Sequence, residues 1–180
     1  MKTYQDLLAV GANEADRKAF VRQLINDYKG SVDYRTARDA YEYFCHRNVT
    51  ITQYRKLLYT VTGEAIPDNY SANFKMACRH FYRFLTQEVQ YLLGNGVTWT
   101  KEDTEGKLGT KTKPFDNQLM KAAKAALWGR GSFGFYDNDH VEVFDALEYI
   151  PLFDEMDGSM KAGVRYWQID KDKPLKATLY

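Results

Sequence analysis

At 180 residues, with 44% hydrophobic and 27% charged side chains, the chain is long enough to bury one core and too apolar to stay disordered. Its 25 basic and 24 acidic residues leave a formal charge of +1, which gives no global pull toward nucleic acid or an anionic membrane. No run of about 18 apolar residues exists to span a bilayer, and Leu7 to Val10 is too short for the core of a signal peptide.

A first amphipathic helix is predicted over Asn13 to Lys29. Asn13 caps it, Phe20, Val21, Leu24, Ile25 and Tyr28 form its stripe, and Gly30 ends it. Ser31 or Asp33 caps a second, with Tyr34, Ala37, Tyr41, Phe44 and Cys45 on one face and a break at Arg47-Asn48. Ile51, Tyr54, Leu57, Leu58 and Val61 suggest a third helical piece ending by Gly63, before a turn at Pro67-Asp68-Asn69. The stretch around which the rest is arranged runs from Ser71 to Trp99. Phe74, Ala77, Cys78, Phe81, Phe84, Leu85, Val89 and Leu92 recur at steps of three and four. This predicts a long central helix, capped by Ser71 or Asn73 and stopped at Gly94, with a strand over Val97-Thr98-Trp99-Thr100. Both cysteines, Cys45 and Cys78, fall in helical patterns, as buried thiols of a reducing compartment do.

Residues 101–113 are polar, without periodicity, and read as an exposed loop. Pro114 or Asp116 opens a further helix, with Phe115, Leu119, Ala122, Ala123, Ala126 and Leu127 on its inner side. The period then changes to two. Ser132 to Tyr136, Val141 to Ala146, Glu148 to Phe153 and Ala162 to Ile169 read as strands, and Lys176 to Tyr180 as the start of another. Asp137-Asn138-Asp139 and Asp154 to Gly158 are turn signals. Helices followed by an antiparallel meander make an α+β plan: N-terminal helices and a long central helix packed on a C-terminal antiparallel sheet, in one region spanning 1–180.

Catalytic and ligand motifs are weak. Gly129-Arg130-Gly131-Ser132-Phe133-Gly134 satisfies G-x-G-x-x-G, but a helix precedes it and a strand follows, the reverse of a dinucleotide site, so it reads as a helix-to-strand joint. Cys45-His46 and Cys78-x-His80 cannot converge on one ion from a helix, where neighbours diverge by about 100° and next-neighbours by about 200°. No nucleophile motif is present, so no cofactor and no enzymatic activity are expected. A small enzyme would have to draw its site from Asp137, Asp139, His140 and Glu142. Lys75, Arg79 and Arg83 form a basic stripe along the predicted central helix. It suits a solvated face, an oligomer contact or, in a free-standing nucleic-acid-binding α+β module, a nucleic-acid contact. The 15% aromatic content, with 14 Tyr, fits either a protein interface or the rims of small cores.

Several blocks, in order, resemble the portal proteins of tailed bacteriophages. Asp68-Asn69, Ala72-Asn73-Phe74 and Tyr91-Leu92-Leu93-Gly94-Asn95-Gly96-Val97-Thr98 are similar to that family's N-F … Y-L-L-G-x-P-V-T helix and strand. Gly129 to Asp137 resembles its hairpin entry, Ile150-Pro151-Leu152-Phe153-Asp154 its I-I-P-I-Y-D element, and Ala162-Gly163-Val164-Arg165-Tyr166-Trp167 the A-I-R-Y-Y strand after it. Tyr43-Phe44 and Ile51 through Arg55 look like a divergent Y-Y-x-G-x-x-x-I segment. His46 stands in place of the usual glycine, and Gly96 where proline is frequent.

The resemblance implies the N-terminal, wing-like part of a longer portal subunit. Such subunits form a homo-oligomeric ring, usually of twelve, at one capsid vertex of the virion after synthesis in the host cytoplasm. A terminase motor drives double-stranded DNA through the ring, and capsid and neck or tail proteins bind it. Arg79, Arg83 and Trp128 are the candidate subunit contacts, a core position being the other reading of Trp128.

Overall fold

A computed structural model describes residues 2–100, 105–170 and 172–180. Six elements precede the central helix: α1 (Tyr4–Ala9), α2 (Glu14–Gly30), α3 (Val32–Phe44), α4 (Val49–Gln53), β1 (Leu57–Tyr59) and β2 (Ala65–Pro67). Then come α5 (His80–Leu93), the short α6 (Glu105–Leu108) and α7 (Phe115–Gly129). The last part is all strand: β3 (Ser132–Tyr136), β4 (Val141–Asp145), β5 (Tyr149–Phe153), β6 (Met160–Trp167) and β7 (Lys176–Leu179). The α+β plan holds, with antiparallel pairing throughout the C-terminal half.

The first two long helices start where their caps predict. Asn13 accepts the Ala15 N–H at 3.1 Å, and Ser31 Oγ accepts the Tyr34 N–H at 3.1 Å. At the other end of the helical half, Arg130 takes a left-handed φ of 63° and turns α7 directly into β3. The glycine-rich run is therefore a helix-to-strand joint.

Two cores organise the molecule. In the first, Leu7 of α1 and Phe20, Leu24 and Ile25 of α2 pack on Ile150, Leu152, Val164 and Tyr166 of β5 and β6. In the second, Ala37 of α3, Leu85 of α5 and Ala125 and Trp128 of α7 close on Ala146. The central helix thus packs on α7 and α3, and α7 is the helix that meets β3 and β4. Alanines on α7 permit this close approach.

The expected single meander is split into a β3–β4 hairpin and a sheet of order β5-β6-β7. Aromatic rings join the two: Phe133 lies 4.6 Å from Tyr149, and Phe135 4.7 Å from Tyr180. The Tyr149 ring lies over Gly163 of β6, where a Cβ would collide with it. That close approach is why this strand position has no side chain.

Several expectations are corrected. Leu57 to Tyr59 is a strand paired with β2, not the end of a helix. Thr60, Val61 and Thr62 lose side-chain freedom in a helix, and Gly63, at φ 84°, closes the turn. The central helix starts at His80, not Ser71, and Ser71 and Asn73 cap nothing. Cys78 is therefore exposed rather than buried on a helix face, while Cys45 is partly buried at the end of α3. Val97 to Thr100 pairs with no described strand. Val97 N–H donates to Asp116 Oδ1 at 3.3 Å and Trp99 packs edge-on to Phe115, so the segment docks on the start of α7. Of the predicted loop, 101–104 lie outside the described residues, and the remainder includes the helical turn α6.

Candidate interaction surface

The residues between α4 and α5 form an arm whose apolar side chains face water. Its base is the β1–β2 hairpin, in register Leu57↔Pro67, Leu58↔Ile66 and Tyr59↔Ala65. The turn is tied by Thr60 N–H to the Glu64 carbonyl at 2.9 Å and Gly63 N–H to the Thr60 carbonyl at 2.9 Å. Past β2, Asp68 Oδ1 accepts the N–H groups of Tyr70 and Ser71, each at 2.9 Å. The Ser71 hydroxyl first, and then these two backbone bonds, hold the Asp68 carboxyl below its ordinary range.

From Ala72 onward the chain runs without regular structure beside 48–56, where polar side chains take the Ala72 and Cys78 carbonyls and Lys75 is tied back to α4. Lys56 Nζ donates to the Ala72 carbonyl at 2.8 Å, Lys75 Nζ to the Thr52 carbonyl, and Asn48 Nδ2 to the Cys78 carbonyl at 3.3 Å. Sequence periodicity could not reveal this competition, since Phe74, Cys78, Phe81 and Leu85 keep helical spacing across the boundary. The apolar positions N-terminal to His80 consequently have no core to face. Tyr70 is 97% exposed, Phe74 92% and Met76 76%, and both hairpin strands are exposed at every residue. An isolated two-stranded hairpin is marginal in water, and a contiguous apolar surface of this kind marks a site that another surface covers.

The basic stripe is broken by the same change. Lys75 lies off the helix with its ammonium on Thr52, Arg79 is the residue before the helix, and Arg83 is in its first turn. Arg79 and Arg83 are exposed. Neither has an ion pair or side-chain hydrogen bond among the described residues, and neither does Arg55 at the start of the arm. Cations at a helix N-terminus sit against the dipole, and α5 has no acidic residue in its first turn to offset them. Trp128 takes the core position: it is buried, with Tyr41 5.1 Å from its ring, and it meets solvent only as part of a groove wall.

Beside Trp128, α3, α7 and β4 enclose a groove of about 540 Å³. Tyr41, Phe44, Met120 and Trp128 supply its apolar walls, Asp145 and Glu148 its carboxylates, and Lys121 and Lys124 its cations. Burial pushes both carboxyls above their ordinary values, and the Asp145 charge adds to the rise at Glu148. Asp145 Oδ1 accepts the Leu147 N–H at 2.9 Å. Among the described residues, no cation comes within ion-pair distance of either carboxylate. No spacing signal marks this pair in the sequence; the end of β4 and the turn after it bring the two together.

Asp137, Asp139, His140 and Glu142 do come together, but as a structural chain. Asp137 Oδ1 accepts the N–H groups of Asp139 and His140 at 3.1 and 2.9 Å, with Asn138 at φ 73° between them. Those backbone bonds, first that of His140, hold the Asp137 carboxyl low. His140 is buried; its Nε2 lies 2.7 Å from Lys113 Nζ, and its Nδ1 3.3 Å from Asp137 Oδ2. Glu142 bridges onward to Lys113 at 3.7 Å and Arg165 at 3.4 Å, and Arg165 stacks 4.1 Å over Phe144. The chain pins the hairpin turn to the 113 loop and to β6. Among the described residues, no three His, Cys, Asp or Glu side chains are placed to hold a metal ion, and no helix is long and apolar enough to cross a membrane.

Compared with known proteins, the chain matches no family model and no curated protein.

Proposed function

We propose that this chain is the wing region of a bacteriophage portal subunit, a non-enzymatic building block that works by assembling with copies of itself into a ring. The observation that carries this reading is the arm. Its apolar side chains are held out from the body by side-chain hydrogen bonds to the backbone, a design that costs stability unless a neighbour covers it. The resemblance in sequence adds to it. Three of its blocks fall on elements here: the Gly129 to Asp137 block spans the α7–β3 joint and the last two lie in β5 and β6, whereas of the first block only Tyr91 to Leu93 is in a helix and Val97-Thr98 pairs with no described strand.

On this reading the ring stands at a capsid vertex, double-stranded DNA passes through its channel, and a terminase supplies the energy. Capsid and tail proteins are its other partners. The interrupted basic stripe weakens a nucleic-acid-binding module, because Lys75 is consumed in holding the arm.

Negative-stain electron microscopy of the protein expressed from its whole reading frame tests the proposal. Rings with a central channel are expected. Compact monomers would refute it.

A further inference from the structure

The arm and the groove are complementary in kind. The arm offers apolar side chains bracketed by two guanidiniums, Arg55 and Arg79, that have no ion pair among the described residues. The groove offers aromatic walls, Tyr41 and Trp128 among them, and two carboxylates in the same unpaired condition, Asp145 and Glu148. Half-buried carboxylates without a direct ion pair gain from a cation brought to them in a dry interface more than exposed ones do. Lys121 attracts both carboxylates at longer range but pairs with neither, and its ammonium donates to the Val143 carbonyl at 3.4 Å.

We propose that the arm of one copy docks in the α3–α7–β4 groove of the next, its Arg55 and Arg79 meeting Asp145 and Glu148. Arm and groove are different surfaces of one chain, so the contact is head-to-tail and propagates from copy to copy, as a closed ring requires. The inference rests on the ring reading above and adds the segment and the groove that make the contact. Aromatic and methionine side chains bury the apolar centre of the joint, and the charges set its register. Lys121 and Lys124, on α7, disfavour a cation that arrives off register.

Charge reversal tests this on the 180-residue chain by sedimentation equilibrium. One variant carries Arg55→Glu and Arg79→Glu, the other Asp145→Lys and Glu148→Lys. Each alone is expected to stay monomeric while the unaltered chain associates. An equimolar mixture is expected to associate, because every arm then meets a groove of opposite charge. Asp145→Asn with Glu148→Gln is the milder variant should the reversal unfold the chain, and about a tenfold weaker association is expected from it. Circular dichroism confirms folding of each.

If the unaltered chain associates and the groove variants associate equally well, the arm–groove joint is overturned while the ring reading stands. If the unaltered chain remains monomeric at every accessible concentration, the joint is also overturned, and the ring reading is judged by microscopy of the protein expressed from its whole reading frame. Association of the mixture no better than of its parts likewise refutes the pairing.

Discussion

Replacing Phe74 and Met76 with serine separates a covered arm from a solvated one. Phe74 is 92% exposed and Met76 76%, so neither is packed within the monomer and their removal leaves no cavity. The unfolding free energy of the monomer is therefore expected to change by no more than about 0.5 kcal/mol, as for surface substitutions in general. Association is another matter. Burying a Phe or Met side chain fully contributes about 1.5–3 kcal/mol, so losing both costs about 3–6 kcal/mol of binding if a neighbour covers them. That corresponds to a fall of about 10²- to 10⁴-fold in the association constant. Urea unfolding at low protein concentration gives the first quantity and sedimentation equilibrium the second. Unchanged association would refute the claim that these side chains are interface. A loss of monomer stability above about 1 kcal/mol would show instead that they pack inside one chain.

The groove carboxylates should trade stability against assembly. Burial raises the folded-state values of Asp145 and Glu148 above the ordinary 3.8 and 4.5, so the folded chain holds those protons more tightly than the unfolded one. Stability is then lost as pH rises through the folded values. Asp145→Asn with Glu148→Gln should unfold at higher urea than the unaltered chain at pH 7, and the difference should close on acidification below the ordinary carboxylate range, even as association weakens. Asp157 behaves oppositely: the Ser159 hydroxyl and N–H and the Lys161 ammonium bring its carboxyl down to about 2, and a carboxyl-detected NMR titration should place its midpoint there. Gly163→Ala forces a methyl against the Tyr149 ring and should cost about 1–3 kcal/mol in urea unfolding. Asn13→Ala removes the acceptor for the Ala15 N–H and should cost about 1 kcal/mol by the same measurement.

Local chemistry alone determined much of this chain. Asn13 and Ser31 cap the helices they precede, the alternation after Ser132 marks strands, and Asp137 to Asp139 makes the turn between β3 and β4. Each depends on groups a few residues apart, so each can be read from spacing. Arg79 and Arg83 were legible as exposed cations for the same reason. The arm was not. Residues 71–79 keep the helical period of α5, but Asp68, Lys56 and Asn48 take up backbone groups there and Lys75 reaches back to the Thr52 carbonyl, the lysine and asparagine bonds spanning between 16 and 30 residues. Likewise Trp128 became core only because Tyr41 and Leu85, far apart in sequence, close over it, and Asp145 and Glu148 became a half-buried pair only where α3 and α7 wall them in. Periodicity reports which residues share a face. What that face meets depends on contacts between distant segments, and only the tertiary structure settles them.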